Sequence, residues 1–224
     1  MNSAYILIPA KKQSTRLKNK NLLKINKKSL LQITIESLNK IKNLQNIYIS
    51  TNSIEISNLA NNLGVRYILR KKVNSNKDAP AKKVVADFIN QLKLRKNDSI
   101  IYLQPTSPLR TVNHIKKAIK IHFKTKKNII SFKKEEKKIL KCFIKKKNNL
   151  IPLLNNDFYS KNEQSLPNVY MPNGAIYIFK VNDFNKEKNF PTKNVFPFLM
   201  SDIESIDIDS IKDLRLVRKI FQKK

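Results

Sequence analysis

Short apolar runs of strand length recur along the first half of the chain. Each is rich in Ile, Leu or Tyr and is followed by a polar stretch, which is typical of buried β-strands that end in loops. The runs occupy residues 5–8, 47–51, 67–69 and 99–103. The pattern therefore predicts four strands in this half of the chain.

Segments with helical spacing separate these runs. In the first segment, Leu31, Ile35 and Leu38 fall on one face and Glu36 on the other. Gly64 is a favourable stop for the second, and Pro80 suits the first turn of the third. Strands that alternate with helices predict an α/β fold with a mostly parallel sheet. Helices are expected over residues 29–42, 53–64, 80–94 and 114–123.

The second half departs from this alternation. Strands are predicted at residues 129–132, 142–144 and 175–179, but no strong amphipathic helix lies between Leu140 and Asn173. We interpret residues 133–172 as a small antiparallel excursion that returns to the sheet and offers a dimer contact. Ser210 and Asp213 then form a capping box for a final helix. The 224 residues are expected to form one domain, 1–224.

The charge balance is strongly basic, with 46 Lys and Arg against 16 Asp and Glu and a net charge of +30. Such a charge favours polyanions in general. The basic residues are nevertheless spread along the whole chain, and no basic stripe interleaved with aromatic residues offers a platform for bases. We therefore do not expect nucleic acid to be the partner.

Cysteine and histidine are scarce. Cys142 stands alone and only His114 and His122 accompany it, which excludes an internal disulfide and a Cys/His zinc cluster. No apolar run reaches the length of a membrane span, and no signal-peptide core is visible at the N-terminus. We expect a cytoplasmic protein that does not enter the membrane.

The polar stretch after the first strand is cationic. Residues 9–21 carry five Lys or Arg and no acid. In an open parallel sheet, ligands bind beyond the carboxyl ends of the strands, so this loop is placed to hold phosphates. It contains neither of the glycine-rich phosphate motifs G-x-G-x-x-G and G-x-x-x-x-G-K-[ST]. A solvated Lys-rich turn is the alternative interpretation.

Two acids near the C-terminus form a candidate metal site. Asp207 and Asp209 alternate with Ile206 and Ile208, and on a strand this period would turn both carboxylates to one face. Carboxylates together with substrate phosphate oxygens are the ligands that Mg²⁺ prefers. We predict Mg²⁺ at Asp207 and Asp209, with Mn²⁺ as an alternative metal.

Four stretches now fall at expected strand ends: residues 8–21, LQPTSPLR at 103–110, MPNGAIYIF at 171–179 and SIDID at 205–209. In order and spacing they resemble the acylneuraminate cytidylyltransferases, the CMP-sialic acid synthetases, over nearly the whole chain. That family includes relatives acting on legionaminic and pseudaminic acids. The resemblance implies a Rossmann-like three-layer nucleotidyltransferase fold, CTP as a substrate and a homodimer.

The resemblance also implies roles for residues around the first loop. It makes Lys11 and Lys20 the basic residues that act on the triphosphate, with Lys11 standing where the family has Arg. A Lys at that position keeps the charge but loses the bidentate fork of a guanidinium. The residues implied for nucleotide binding are Pro9, Ala10, Ser14, Arg16, Asn21, Arg70, Ala79 and Pro80.

For the acceptor sugar, the resemblance implies another set. Arg is common in the family at the positions of Glu163 and Met171, which favours an acceptor other than ordinary sialic acid. The residues implied for acceptor binding are Gln104, Lys141, Asn173, Tyr177 and Phe190.

The sequence therefore predicts an enzyme that transfers CMP from CTP to the anomeric hydroxyl of a nonulosonic sugar acid and releases pyrophosphate. A second hypothesis keeps the fold and the metal but takes 3-deoxy-manno-octulosonate as acceptor. A third, from another class, is a catalytically degraded scaffold that binds nucleic acid.

Overall fold

A central β-sheet organises the computed structural model, which describes residues 3–12, 17–41, 46–70, 80–154 and 157–223. Two further pairs of strands form small hairpins outside this sheet. The strands are β1 Ala4–Pro9, β2 Lys24–Ile25, β3 Lys28–Ser29, β4 Ile47–Thr51, β5 Arg66–Leu69, β6 Ser99–Tyr102, β7 Asn128–Glu135, β8 Phe143–Lys146, β9 Asn149–Pro152, β10 Val169–Lys180 and β11 Val195–Leu199.

Most helices follow a strand of the sheet. Short 3₁₀ turns occur at Lys20–Leu22, Lys137–Lys141 and Glu163–Ser165. None of the described helices is long and apolar enough to cross a membrane. The α-helices are α1 Leu30–Asn39, α2 Ile54–Asn62, α3 Ala81–Gln91, α4 Val112–Thr125, α5 Asp157–Ser160, α6 Val181–Glu187 and α7 Ile211–Gln222.

The sheet is mostly parallel, as predicted. Its order is β11-β7-β10-β6-β1-β4-β5. Strand β1 pairs in parallel with β4 and β6, β4 with β5, and β11 with β7, whereas β10 runs antiparallel to both β6 and β7. The carboxyl ends of β1, β4, β5 and β6 therefore meet at one edge of the sheet, where ligands bind in folds of this class.

Helices cover both faces of the sheet. Ile6 and Ile8 of β1 pack in one core with α1, α2 and α4, while Leu7 packs in a second core with α3 and α6. This two-sided burial explains why β1 is a continuous apolar run and not an alternating one. A third core joins α7 to the β2–β3 hairpin and includes Ile208 and Leu214.

The predicted excursion is present, with more structure than expected. Residues between β7 and β10 form the separate β8–β9 hairpin, the single-turn α5 and two 3₁₀ turns. Strand β10 is longer than predicted and has an irregular register between Pro172 and Tyr177. The sequence analysis missed α6 and β11 because neither has the length or periodicity that distinguishes a short element from a loop.

Two local predictions need correction. Residues 206–209 do not form a strand: the backbone N–H of Ile208 donates to the carbonyl of Thr106 at 2.9 Å, and no strand ladder continues from it. Pro80 is the N-cap of α3 and not its first helical residue. The capping box of α7 is confirmed, because the Ser210 hydroxyl accepts from the N–H of Asp213.

Candidate active site

A cavity of about 370 Å³ lies at the carboxyl edge of β1 and β6. The loop after β1, the end of β5, the start of α3, the turn after β6 and the segment before α7 all contribute to it. Its walls are formed by Pro9, Lys11, Leu17, Lys20, Asn21, Arg70, Ala81, Val84, Tyr102, Gln104, Pro105, Thr106, Asp207 and Asp209.

The structure brings most of the predicted nucleotide and metal residues together here. Ala10 is fully buried beside the cavity, and Pro80 immediately precedes Ala81 in its wall. Ser14, Arg16 and Ala79 lie outside the described residues. The predicted residues that line the cavity are Pro9, Lys11, Lys20, Asn21, Arg70, Gln104, Asp207 and Asp209.

The described part of the first loop folds back on itself. Asn19 adopts a left-handed conformation and Lys20–Leu22 forms a 3₁₀ turn. The buried Asn21 side chain donates to the carbonyl of Lys11 at 2.9 Å. This bond ties the two ends of the loop together, so that Lys11 and Lys20 face the same space.

The acids meet this loop from the other end of the chain. Ile208 is fully buried, and Asp207 and Asp209 flank it and face the cavity. The Nζ of Lys20 lies 2.6 Å from Oδ1 of Asp209. The carboxylate pair thus forms without the predicted strand, because burial of Ile208 turns its two neighbours towards the cavity.

The donor set fits a cation that is shared with substrate. In the described ranges, no group of three or more His, Cys, Asp and Glu side chains could hold a metal by itself. Two carboxylates in one cavity, beside lysines that suit phosphates, are the arrangement for Mg²⁺ that takes its remaining oxygens from a nucleotide and water.

Arg70 adds a buried cation to the same cavity. Its Nε donates to the Ser50 hydroxyl at 3.0 Å and its Nη2 donates to the Ser50 carbonyl at 2.9 Å. Burial lowers the pKa of this guanidinium, and the neighbouring Tyr102 and Asp87 oppose the shift. The side chain is therefore fixed in place by β4, at the edge where a nucleotide would enter.

An aromatic wall stands on the β10 side. Tyr102 and Tyr177 are paired across β6 and β10, with ring centroids 6.0 Å apart. Phe190 lies 5.1 Å from the Tyr102 ring and 4.8 Å from the Tyr177 ring. Burial raises the pKa of both phenols, and the charge of Asp207 adds to the rise at Tyr177.

Tyr177 and Phe190, which the resemblance implied for acceptor binding, do not line the cavity themselves; both pack against Tyr102, which does. Sequence reasoning missed Tyr102. The available signal was its position two residues before Gln104, since the period of an extended chain turns both side chains to the same side.

Arg110 joins the turn after β6 to strand β10. It is buried, and its Nη1 donates to the carbonyls of Gln104 at 2.9 Å and Ala175 at 2.8 Å. Burial lowers its pKa to about 10. Burying a guanidinium costs desolvation free energy, and the two carbonyls offset part of that cost. The same two bonds hold the turn after β6 against the bulge of β10.

Lys141 and Asn173 do not line the cavity. Lys141 lies in a 3₁₀ turn of the excursion, and the Asn173 side chain is buried and bonded within the protein. Glu163 and Met171, on the same excursion and on β10, are exposed and also lie away from the cavity. Of the residues implied for acceptor binding, Gln104 is therefore the one that lines the cavity within the described part of the chain.

Comparison with known proteins agrees with this geometry. A family model described as cytidylyltransferase matches residues 5–224. The chain belongs to the cytidylyltransferase family. The resemblance to acylneuraminate cytidylyltransferases is confirmed by sequence relatives that align with nearly the whole chain.

Two relatives illustrate the similarity. The chain is 29% identical over 211 residues to an N-acylneuraminate cytidylyltransferase of Streptococcus agalactiae, with 92% of the chain covered. It spans only 50% of that relative's length. It is 30% identical over 222 residues to the CMP-N,N'-diacetyllegionaminic acid synthase of Legionella pneumophila, which covers 96% of the chain and 95% of the relative.

A solved structure confirms the fold. A CMP-2-keto-3-deoxy-manno-octonic acid synthetase complexed with CTP superposes with a TM-score of 0.71, covering 99% of both chains at 14% identity. The predicted nucleotidyltransferase architecture of this family is therefore correct.

Proposed function

We propose that the chain transfers CMP from CTP to the anomeric hydroxyl of a nonulosonic sugar acid. The anomeric oxygen attacks the α-phosphorus, the bond between that phosphorus and the bridging oxygen breaks, and pyrophosphate leaves while the hydroxyl loses its proton. One observation carries the proposal: the cations Lys11, Lys20 and Arg70 share a single cavity with the acids Asp207 and Asp209.

The cations would hold the triphosphate. Lys11 and Lys20 come from the folded first loop, and Arg70 is fixed by its bonds to Ser50. Such contacts act by positioning and by neutralising charge that develops on the phosphate oxygens. Asp207 and Asp209 would hold Mg²⁺, with Mn²⁺ as an alternative, and the metal would supply charge neutralisation on the triphosphate.

The acceptor would lie between Gln104 and the aromatic wall. The Gln104 amide offers one donor and one acceptor group to sugar hydroxyl or carboxylate oxygens. The aromatic wall, through Tyr102 in the cavity and Tyr177 and Phe190 packed against it, would offer an apolar surface to the carbon face of the ring. We keep Gln104, Tyr177 and Phe190 as the acceptor residues of this chain.

The relatives favour a nine-carbon acceptor. The Streptococcus and Legionella relatives are named for N-acylneuraminate and diacetyllegionaminic acid and match over nearly the whole chain. The alternative acceptor, 3-deoxy-manno-octulosonate, is supported by the shared fold and by a 30% identical cytidylyltransferase of Francisella philomiragia that aligns with 58% of the chain.

A second copy of the chain is the proposed partner. The excursion exposes a set of apolar side chains that is unusual for a monomer surface. A homodimer that covers them would explain the excursion. Analytical ultracentrifugation should show a dimer that Leu150→Glu dissociates, and a monomeric wild type would contradict it. The exposed residues are Phe143, Ile144, Leu150, Leu153, Leu154 and Tyr159.

The remaining features fit a cytoplasmic enzyme. Cys142 is exposed and free, which suits a reducing compartment. In the proposal the triphosphate and the sugar acid meet the cations of the cavity, and the rest of the +30 charge is spread along the chain without requiring a nucleic-acid partner.

The experiment that tests this function is pyrophosphate release with CTP, Mg²⁺ and a panel of nonulosonic acids beside 3-deoxy-manno-octulosonate. We expect release with a nonulosonic acid and at least tenfold less with the eight-carbon acid, a difference of about 1.4 kcal/mol. Release with the eight-carbon acid alone would support the alternative. RNA or DNA binding in the nanomolar range at physiological salt, without turnover of CTP, would support the nucleic-acid hypothesis.

A further inference from the structure

Asn173 has a buried side chain whose polar atoms are all engaged within the protein. It is 7% exposed. Its Oδ1 accepts from the Ser131 hydroxyl at 2.5 Å and from the N–H of Ala175 at 3.1 Å. Its Nδ2 donates to the Ser205 hydroxyl at 2.8 Å and approaches the sulfur of Met200 at 3.4 Å. A side chain bonded in this way has little capacity left for a sugar.

The bond to Ser205 reaches the segment that carries the acids. This segment has no regular structure between Met200 and Ser210, so its position depends on individual bonds. The N–H of Met200 donates to Phe132 and that of Ile208 donates to Thr106, each at 2.9 Å. Ser205, which is buried, is held at its hydroxyl by Asn173.

The anchors bracket Asp207. Asp207 lies two residues after Ser205 and one residue before Ile208. Fixing Ser205 on one side and Ile208 on the other sets the path of the backbone through Asp207. Side chains that orient metal ligands in this indirect way strongly affect metal affinity and activity.

We propose that Asn173 is a positioning residue for the Asp207 carboxylate, acting through Ser205, and not a contact of the acceptor sugar. The inference rests on the proposed function for the role of the carboxylates. It replaces the acceptor role that the family resemblance implied for this position.

The two roles predict different consequences. A sugar contact would change the KM for the acceptor, and Ser205, which is outside the cavity wall, would not share the effect. A positioning role predicts that Asn173→Ala and Ser205→Ala both weaken metal binding, because each removes the bond between these two side chains. Asn173→Ala also removes the bonds to Ser131 and Ala175 and should be at least as severe.

The test compares Asn173→Ala, Ser205→Ala and the double variant. Ser57→Ala is the matched control, since Ser57 is also a buried serine and bonds only within α2. Two readouts are needed: Mg²⁺ dependence of turnover with KM for CTP and acceptor, and binding of Mn²⁺ in the presence of CTP by electron paramagnetic resonance. Thermal unfolding checks that each variant is folded. If Asn173→Ala does not fold, Ser205→Ala, the milder change, carries the test.

We expect each single variant to weaken Mn²⁺ binding and to raise the Mg²⁺ requirement by about tenfold. The double variant should be no worse than Asn173→Ala alone, because the bond between the two side chains is lost only once. The KM for the acceptor should change by less than about twofold, since no sugar contact is removed.

Three results would overturn the inference: a rise in acceptor KM with unchanged Mn²⁺ binding, a Ser205→Ala variant equal to wild type, or additive effects in the double variant. Mn²⁺ binding is read without acceptor. A wild type that binds Mn²⁺ and CTP but makes no product would therefore contradict the proposed function and not the role of Asn173.

Discussion

Lys20 and Asp209 form an ion pair of 2.6 Å that joins the first loop to the segment before α7, 189 residues away. Their side chains are 15% and 35% exposed, so the pair faces the cavity and is reachable by a ligand. In the proposed reaction, each member exchanges this partner for a ligand of opposite charge: Lys20 for a phosphate and Asp209 for the metal. The pair keeps the two groups at the correct place in the absence of nucleotide.

Lys20→Ala is expected to impair use of CTP far more than binding of cytidine. In the proposed function the ammonium contacts phosphate and not base, and a lost charge-assisted bond costs about 1.5–3 kcal/mol, or about tenfold or more in Kd for CTP. Isothermal titration with CTP and with cytidine checks this. Lys28→Ala is the control, because Lys28 also pairs with an acid, Glu36, at 2.7 Å but lies outside the cavity wall. An equal loss of affinity for CTP and for cytidine would show that Lys20 does not bind the phosphates.

Asp209→Asn is expected to leave the fold intact and lower kcat by about a hundredfold or more, since a metal ligand and several kcal/mol of charge stabilisation are lost. Steady-state kinetics at saturating Mg²⁺ measures this. Asp202→Asn, the same substitution at an exposed position of the same segment, should keep wild-type turnover. Wild-type turnover in Asp209→Asn would show that the metal assignment is wrong.

The two glycines provide a matched pair. Gly174 and Gly64 have φ values of +76° and +65°, so alanine at either position costs about 1–2 kcal/mol of stability. They differ in their surroundings. A Cβ at Gly174 would lie 2.9 Å from Oε1 of Gln104, whereas a Cβ at Gly64 meets nothing within 4 Å.

Gly174→Ala should therefore displace the Gln104 side chain and raise acceptor KM by about tenfold, while Gly64→Ala should lower stability alone. Urea unfolding and kinetics separate the two effects. An unchanged acceptor KM in Gly174→Ala would argue against Gln104 as an acceptor contact.

His122 is expected to make stability depend on pH. Its ring is buried, its Nδ1 lies 2.7 Å from the Lys127 carbonyl, and its Nε2 lies 2.9 Å from the Ser99 hydroxyl. Because a carbonyl can only accept, Nδ1 donates and Nε2 of the neutral ring accepts from Ser99. Burial is the main cause of its lowered pKa. The charges of Lys180 and Lys126 act in the same direction, and the Lys127 carbonyl and Asp183 oppose them.

The unfolded ring therefore binds protons more readily than the folded one. The contribution of His122 is present above its unfolded pKa and is lost as the pH falls through and below that value. Urea midpoints should decrease more steeply from pH 7.5 to pH 5.5 in wild type than in His122→Gln, with His114 unchanged in both proteins. An equal decrease of the urea midpoint in wild type and in His122→Gln would show that His122 does not cause the pH dependence of stability.

Much of the site could be predicted because its residues are close in sequence to strong signals. The apolar run of β1 marks a buried strand, and the basic loop must follow it. The Ser210–Asp213 capping box likewise fixes the start of α7. Such local signals require no knowledge of distant contacts.

Other features depend on distant contacts that periodicity does not show. The Ile-Asp-Ile-Asp alternation suggested a strand, but the backbone N–H of Ile208 donates to a carbonyl of the turn after β6, and the described residues 206–209 form no strand ladder. The engagement of Asn173 with Ser131 and Ser205 involves residues 42 and 32 positions away. The position of Lys141 outside the cavity follows from the β8–β9 hairpin, whose orientation the sequence does not specify.

The central claim is that this cavity makes a CMP-sugar. The most direct measurement is identification of the product by mass spectrometry and ³¹P NMR after incubation of the wild type with CTP, Mg²⁺ and each nonulosonic acid. We expect a phosphodiester between CMP and the anomeric oxygen, formed in equal amount with pyrophosphate. The proposed function would be contradicted if a folded protein that binds CTP formed no such product from any 2-keto sugar acid.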